Sequence, residues 1–442
     1  MKIIVIGCTH AGTAFITTAK KLYPDIEITV YERNDNISFL SCGIALHVGG
    51  VIKDPQKLFY SSPEKLKEMK VATKMLHNVK KIDFENKKVI VENLKSGEIF
   101  EDNYDKLIIT TGSWPIIPDI PGINLPGVKL SKNFNHAQDI INSSKNARNI
   151  VVIGAGYIGV ELAEAFQLNG KNVTLIDIEK RILSKYLDKE FTDVLEKRMK
   201  EAGINFALGE RVIEIIGNGK VEKLRTDKNE YKADLVILCV GFKPNTELFR
   251  ENLKMLPNGA IITDDYLQTN IKDVYAAGDC CAVKFTPTNS YEYIPLATNA
   301  VRMGTIIAYN LFDEKVKYQG TQGTSGVKIY EYNVASTGLS ETLANSKNID
   351  VESVVIKENN KPEFMPDYRE VIVKLVYRKD NKVIVGAQII SRANITEAIN
   401  TMSLAIKTKM KIEDLAFADF FFQPHFNKPW NFLNTVALQA LK

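Results

Sequence analysis

Glycines grouped in two turns, an acid that follows each turn, and a few cysteines are the residues here whose types and spacing could do chemistry. Gly154-x-Gly156-x-x-Gly159 is a complete dinucleotide turn. Its first glycine permits the tight turn, its second lets a pyrophosphate approach the backbone, and its third lets helix and strand pack closely. The helix that follows would turn its N-terminal N–H groups toward phosphate. Asp177 lies 18 residues beyond Gly159. A carboxylate there accepts hydrogen bonds from ribose hydroxyls and repels a 2′-phosphate, which favours NADH over NADPH. An earlier turn keeps its outer glycines, Gly7 and Gly12, with Thr9 at the middle position and Glu32 lying 20 residues after Gly12. The five cysteines, Cys8, Cys42, Cys239, Cys280 and Cys281, form no Cys-x-x-Cys pair and no Cys/His cluster at zinc spacing. No metal is expected. So few thiols in a long chain argue against a disulfide framework.

The elements needed to position these residues are legible. Residues 3–6 read as a buried strand, followed by the first turn, a helix to 22 and a second strand at 26–32. Residues 150–153 open the same series, with a helix to 168 and a strand at 173–177. Two such units mean two dinucleotide sites. Continuous apolar runs at 104–112 and 233–241, each ending in glycine, suit buried parallel strands. The proline-rich stretch 114–128 reads as a connecting loop. Beyond about residue 320 the pattern shifts to alternating runs such as 370–377, a helix-like segment at 395–409 and an aromatic tail at 420–422. That shift suggests an antiparallel sheet in a third domain whose apolar content suits a dimer interface.

At 442 residues the chain is too long for one core. Its 45% hydrophobic and 25% charged composition is that of a globular protein. A net charge of +4 with no basic tract gives no reason to expect nucleic acid. No apolar run approaches the roughly 20 residues that span a bilayer. The start of the chain reads as a buried strand and not a signal peptide, so a cytoplasmic protein without membrane contact is expected.

Taken together, Gly7-Cys8-Thr9-His10-Ala11-Gly12, Ser38-Phe39-Leu40-Ser41-Cys42-Gly43, Thr111-Gly112, Gly154 to Gly159, Ala276-Ala277-Gly278-Asp279 and the tail motif Phe422-Gln423-Pro424-His425-Phe426 resemble the pyridine nucleotide-disulfide oxidoreductase superfamily from end to end. Within it the chain resembles the single-cysteine branch of water-forming NADH oxidases, NADH peroxidases and coenzyme A-disulfide reductases. The resemblance implies an α/β fold of two three-layer Rossmann-like dinucleotide-binding domains plus a C-terminal α+β dimerisation domain. The FAD domain would be discontinuous, at 1–115 and 245–320, with the NAD domain at 116–244 and the dimerisation domain at 321–442. A homodimer or dimer of dimers follows.

The same resemblance assigns the site. FAD contacts fall on Gly7, Thr9, Ala11, Gly12, Glu32, Cys42, Thr110, Thr111, Gly112, Ser113, Lys132, Asp279 and Ala297, with Asp279 on the ribityl chain. NAD contacts fall on Gly154, Gly156, Tyr157, Ile158, Gly159, Asp177, Tyr186 and Gly241, with Tyr157 lying over the flavin. Surface side chains are the plain alternative for Lys132 and Tyr186. Disulfide reductases of the superfamily carry Cys-x-x-x-x-Cys where this chain has Cys42 and then His47, so a dithiol mechanism is excluded there. A lone thiolate beside a flavin can cycle through sulfenic acid, and by resemblance Cys42 reduces peroxide with His10 as acid/base or positioning group. The plain alternatives are a packed structural cysteine and a histidine that caps the turn. Cys8, Cys239, Cys280 and Cys281 read as structural, and His47, His77 and His136 as solvated or loop histidines. His425 could reach the flavin of a second copy. The expected reaction is 2 NADH + 2 H⁺ + O2 giving 2 NAD⁺ + 2 H2O. The rivals are H2O2 as the acceptor, reduction of coenzyme A disulfide, and a slow redox-sensing flavoprotein.

Overall fold

The computed structural model describes residues 1–442. The two series of apolar strands build two five-stranded parallel sheets. In the first the strand order is Val274–Ala276, Lys106–Ile109, Lys2–Ile6, Glu27–Glu32, Ala72–Met75. In the second it is Asn205–Leu208, Asn172–Asp177, Asn149–Ile153, Leu235–Leu238, Val128–Leu130. Both sheets place the strand before the glycine turn at the centre, where it is covered on both faces and where continuous Ile/Val runs are stable. Each series continues through a three-stranded antiparallel meander, His77–Asp83 to Ile99–Asn103 in one and Val212–Ile216 to Glu230–Lys232 in the other. Val274–Ala276 follows the whole second sheet in sequence yet forms an edge of the first.

The stretch read as loop from 114 to 128 contains regular structure at both ends. Ser113–Pro115 pairs with Phe242–Pro244 as a two-stranded ribbon between the sheets, and Val128–Leu130 is an edge strand of the second sheet. Prolines fit there because ribbon and edge leave unpaired positions that need no N–H donor.

The third sheet is antiparallel, in the order Ser325–Ile329, Tyr332–Gly338, Ile384–Ser391, Glu370–Arg378, Val351–Asn359. Its inner strands are buried along nearly their whole length. Helices Ala398–Lys407 and Phe432–Ala440 share one core with Val371, Val373 and Leu375, while Ile372 and Ile390 on the opposite face join the core of the second sheet. The helix read at 395–409 starts later, at Ala398. The tail leaves Phe417, Phe421, Phe422, Phe426 and Trp430 exposed. No helix is long and apolar enough to cross a membrane.

Helix His10–Leu22, which leads out of the first glycine turn, is held by helix Ala297–Tyr309 at a glycine contact. A Cβ on Gly304 would stand 2.2 Å from the Ala11 carbonyl oxygen and 3.1 Å from the Phe15 nitrogen. Backbone atoms cannot yield as a flexible side chain would. Gly304→Ala is therefore expected to destabilise the protein by about 1–3 kcal/mol, the usual cost of overpacking a filled core. A thermal midpoint unchanged from wild type would show that the two helices are not in this contact.

Candidate active site

Both glycine turns open into one cavity of about 1450 Å³, lined by residues of the first and third sheets and of the segments that leave the strands of the second. Gly7 and Gly154 have φ of +89° and +106°, which only glycine adopts without strain. Beneath each turn a carboxylate from the end of the neighbouring strand takes the first amide. Glu32 accepts from the Cys8 nitrogen at 2.8 Å, and Asp177 accepts from the Ala155 nitrogen. Gly12 and Gly159 close the packing: a Cβ there would meet the Gly7 and Gly154 carbonyl oxygens at 2.4 and 1.8 Å. A Cβ on Gly156 would meet no protein atom within 4 Å. That is the geometry of a position that faces a ligand.

The residues assigned by resemblance converge. Gly7, Thr9, Ala11, Glu32, Cys42, Thr110, Thr111, Gly112, Ser113, Lys132, Asp279 and Ala297 all line the cavity, as do Gly156, Tyr157, Ile158, Tyr186 and Gly241. Gly12, Gly154 and Gly159 do not, because they shape the turns from behind, and Asp177, half-buried at the strand end, stands beside the lining. Past Asp177 the lining continues with Glu179, whose N–H donates to the Asp177 carboxylate at 2.8 Å. Lys132 is no free surface chain. Its Nζ donates to Asp279 at 3.1 Å and to the Ser113 hydroxyl at 2.8 Å, and that hydroxyl donates to Asp279 at 2.8 Å. Tyr186 packs against Tyr157 with ring centroids 4.2 Å apart. The Thr111, Ser131 and Tyr293 hydroxyls are buried on the lining without a protein partner, so the walls hold polar capacity that a bound nucleotide fits.

Cys42 sits in the short helical turn Ser41–Gly43, and His10 opens helix His10–Leu22. The segment around residues 58–61 holds both. Leu40 N–H donates to the Leu58 carbonyl at 2.8 Å, and the Ser38 hydroxyl donates to the Ser61 carbonyl at 2.7 Å. Tyr60, between them, stacks on His10, and its hydroxyl is 3.0 Å from Nδ1. Burial holds the His10 imidazole below its ordinary range, with Asp279 opposing and Lys132 assisting. The direction is the one a helix N-terminus would give, but burial is the larger cause. Cys42 is open to the cavity, yet surrounded by enough protein that desolvation pushes its thiol up; Glu161 adds to this and Lys132 opposes it. The protein alone thus favours the thiol over the thiolate read from the sequence. Burial and the Glu164 carboxylate push Glu161 up to about 7.

Several sequence readings change. His47, His77 and His136 lie on regular elements, Ile44–Val48, His77–Asp83 and Phe134–Ser144, and none is fully exposed. Cys8, Cys280 and Cys281 are buried, whereas Cys239 is half-buried and lines the cavity. Glu161 and Tyr60 were missed. A carboxylate amid the apolar helix after the second turn was a visible signal for Glu161. No spacing could have shown that Tyr60 meets His10, fifty residues away.

The chain matches the model of the pyridine nucleotide-disulphide oxidoreductase over residues 1–304 and that of its dimerisation domain over 324–431. It is 52% identical to an NADH oxidase of Enterococcus faecalis, with 100% of both chains covered. It is 34% identical to a CoA-dependent NAD(P)H sulfur oxidoreductase of Pyrococcus furiosus, over 99% of this chain and 98% of that one. Among solved structures it superimposes on a water-forming NADH oxidase of Lactobacillus brevis bound to NADH with a TM-score of 0.98 at 48% identity, covering 100% of this chain and 98% of that one. The family model alone spans well over half of the chain, and two glycine turns open into the one cavity. The chain belongs to the pyridine nucleotide-disulphide oxidoreductase family, as an FAD-dependent oxidoreductase that works with NADH and carries the family's dimerisation domain.

Proposed function

We propose that this protein is an NADH oxidase that reduces O2 to water through Cys42, acting as a homodimer or dimer of dimers. The observation that carries the reading is the single cavity shared by two dinucleotide turns, His10 and Cys42, whose own loop and helix carry no second thiol. The first turn, Glu32, Lys132 and Asp279 would hold FAD, which when bound would supply hydride acceptance and electron transfer. NADH lies on the second turn, with Asp177 at its ribose and Glu179 adding negative charge against a 2′-phosphate.

Cys42 completes the reduction. Its Sγ bonds one oxygen of peroxide as the O–O bond breaks, giving Cys–SOH, and the other oxygen leaves as water. A hydride equivalent from a second NADH, two electrons with one proton, and one further proton return the thiol and release the second water. With the Tyr60 hydroxyl as donor to Nδ1, the imidazole proton lies on Nε2, from which it can hydrogen-bond the departing hydroxyl while that oxygen takes up the thiol proton and leaves as water. Glu161, poised near neutral pH, suits the proton exchange that Sγ requires. Relatives named NADH oxidases, at 52% and 43% identity, support O2 as the acceptor.

An oxygen electrode is expected to read about two NADH consumed per O2, with no O2 returned by catalase. Cys42→Ser should lower the ratio to about one and leave H2O2 behind, because the second two-electron step is lost. NADH oxidation only on addition of H2O2 would make the protein a peroxidase instead. Asp177→Ala should raise kcat/KM for NADPH by about tenfold and lower it for NADH, since a like charge facing the 2′-phosphate is removed; equal effects on both would remove Asp177 from the ribose site. For His10, proton NMR should show a titration point below the ordinary 6.5. The unfolded chain then takes the proton first, so the stability linked to His10 is complete above about pH 6.5 and is lost as pH falls through the folded value. A titration at or above 6.5 would contradict the buried, neutral imidazole.

A further inference from the structure

The segment from residue 178 to 188 joins strand Asn172–Asp177 to helix Lys189–Glu201 and forms one wall of the nucleotide side of the cavity, through Glu179, Arg181, Ser184 and Tyr186 among others. It has little regular structure of its own. Near its middle, Leu183 adopts φ +50° and donates its N–H to the Ala155 carbonyl in the second glycine turn at 2.8 Å. Its far end is Asp188, the cap residue of helix Lys189–Glu201, yet the Asp188 carboxylate makes no bond to that helix. It turns instead to the third unit. It accepts from Glu341 N at 2.9 Å, Thr342 N at 3.0 Å, Thr342 Oγ1 at 2.6 Å and Gln388 Nε2 at 2.8 Å. The Asp188 N–H donates to Gln388 Oε1 at 2.8 Å.

Lys374, on the buried strand Glu370–Arg378, supplies the charge. Its Nζ lies 3.2 Å from Asp188, 3.0 Å from Glu190 and 2.7 Å from Glu341, and its side chain is 1% exposed. An ammonium group buried at a sheet centre costs several kcal/mol before pairing, and a well-packed apolar residue of similar size is often at least as stabilising. Packing alone therefore does not account for a lysine there. What it provides is a fixed point, set by five polar contacts to a single carboxylate, for the end of the nucleotide wall. Tyr186 stands two residues before that point. Its stacking partner Tyr157 is tied to the same unit, through its hydroxyl and the Ser325 hydroxyl at 2.8 Å.

We infer that Lys374, Asp188 and Gln388 form a positioning latch through which the third unit sets the affinity of the 178–188 wall for the pyridine nucleotide. The inference rests on the reading of the Gly154 turn as the NADH site. None of the three residues lines the cavity, so the latch acts on the nucleotide through Tyr186 and the backbone, and not by contact.

The test is calorimetric titration of the holoenzyme with ADP-ribose, together with steady-state kinetics in NADH. Lys374→Met is expected to raise the Kd for ADP-ribose and the KM for NADH by about tenfold, within the range by which residues outside a site alter its affinity. Its kcat should stay within about twofold of wild type, and Lys374→Arg should recover most of the affinity. A merely structural role would lower the thermal midpoint and the active fraction while leaving the Kd of the folded fraction unchanged, and that result would overturn the inference. So would a fall in kcat at constant KM. Should Lys374→Met not fold, Gln388→Leu breaks the two contacts to Asp188 without unpairing a charge and must raise the same Kd. Wild type that fails to bind ADP-ribose would overturn the nucleotide reading itself, whereas wild-type binding with unaltered variants would overturn the latch alone.

Discussion

The site depends on a carboxylate bonded back to a backbone amide. Glu32 and Asp177 each stand at the end of the second strand of a strand–turn–helix–strand unit, and each takes the N–H that follows the first glycine of its turn. That bond fixes the turn, which fixes the direction of the following helix, which decides where its N-terminal N–H groups point. Glu32 is 4% exposed. Burying an acid is costly unless its oxygens are hydrogen-bonded, and the amides of Cys8 and Asn34 provide that bonding. The acid is thus a fastening of the turn, besides the part proposed for it at the FAD site.

A second convergence joins distant parts of the chain. Ser113, Lys132 and Asp279 come from the connecting ribbon, from just after an edge strand of the second sheet, and from the return into the first sheet. Their mutual hydrogen bonds close a triangle on the cavity wall. Lys132 and Asp279 also act on both His10 and Cys42, which sets the two at the same end of the cavity and makes the charge balance there a property of the whole arrangement.

The sequence was most legible where backbone geometry dictates residue type. The glycine turns, the acids that follow them and the continuous apolar strands can each be met by few residues, so the two parallel sheets could be read directly. The third unit was legible as antiparallel, but Glu370–Arg378 is buried on both faces, and its alternation is weak for that reason. The ribbon at Ser113–Pro115 was hidden because its partner lies well over a hundred residues away and prolines mask short strands. Cys42 and His10 were found through motif context. The environment that pushes the thiol up was not legible, because Glu161 reaches it from another unit. The Lys374 cluster was equally silent, since a lysine amid valines reads as a surface residue.

All five cysteines are free, and Cys42 stands alone on its loop. A thiol oxidised beside a second thiol is trapped quickly as a disulfide, which shelters the sulfur. Without one, the sulfenic acid of the proposed cycle would face a race. Electrons bring it back to the thiol, while another peroxide carries it to sulfinic acid, from which no thiol returns it. Under that cycle the working lifetime of the protein would be measured in turnovers per lost sulfur and set by the supply of reduced nucleotide relative to oxidant. The same cysteine would last longest in a cell rich in NADH and would fail first in one that is starved under oxygen.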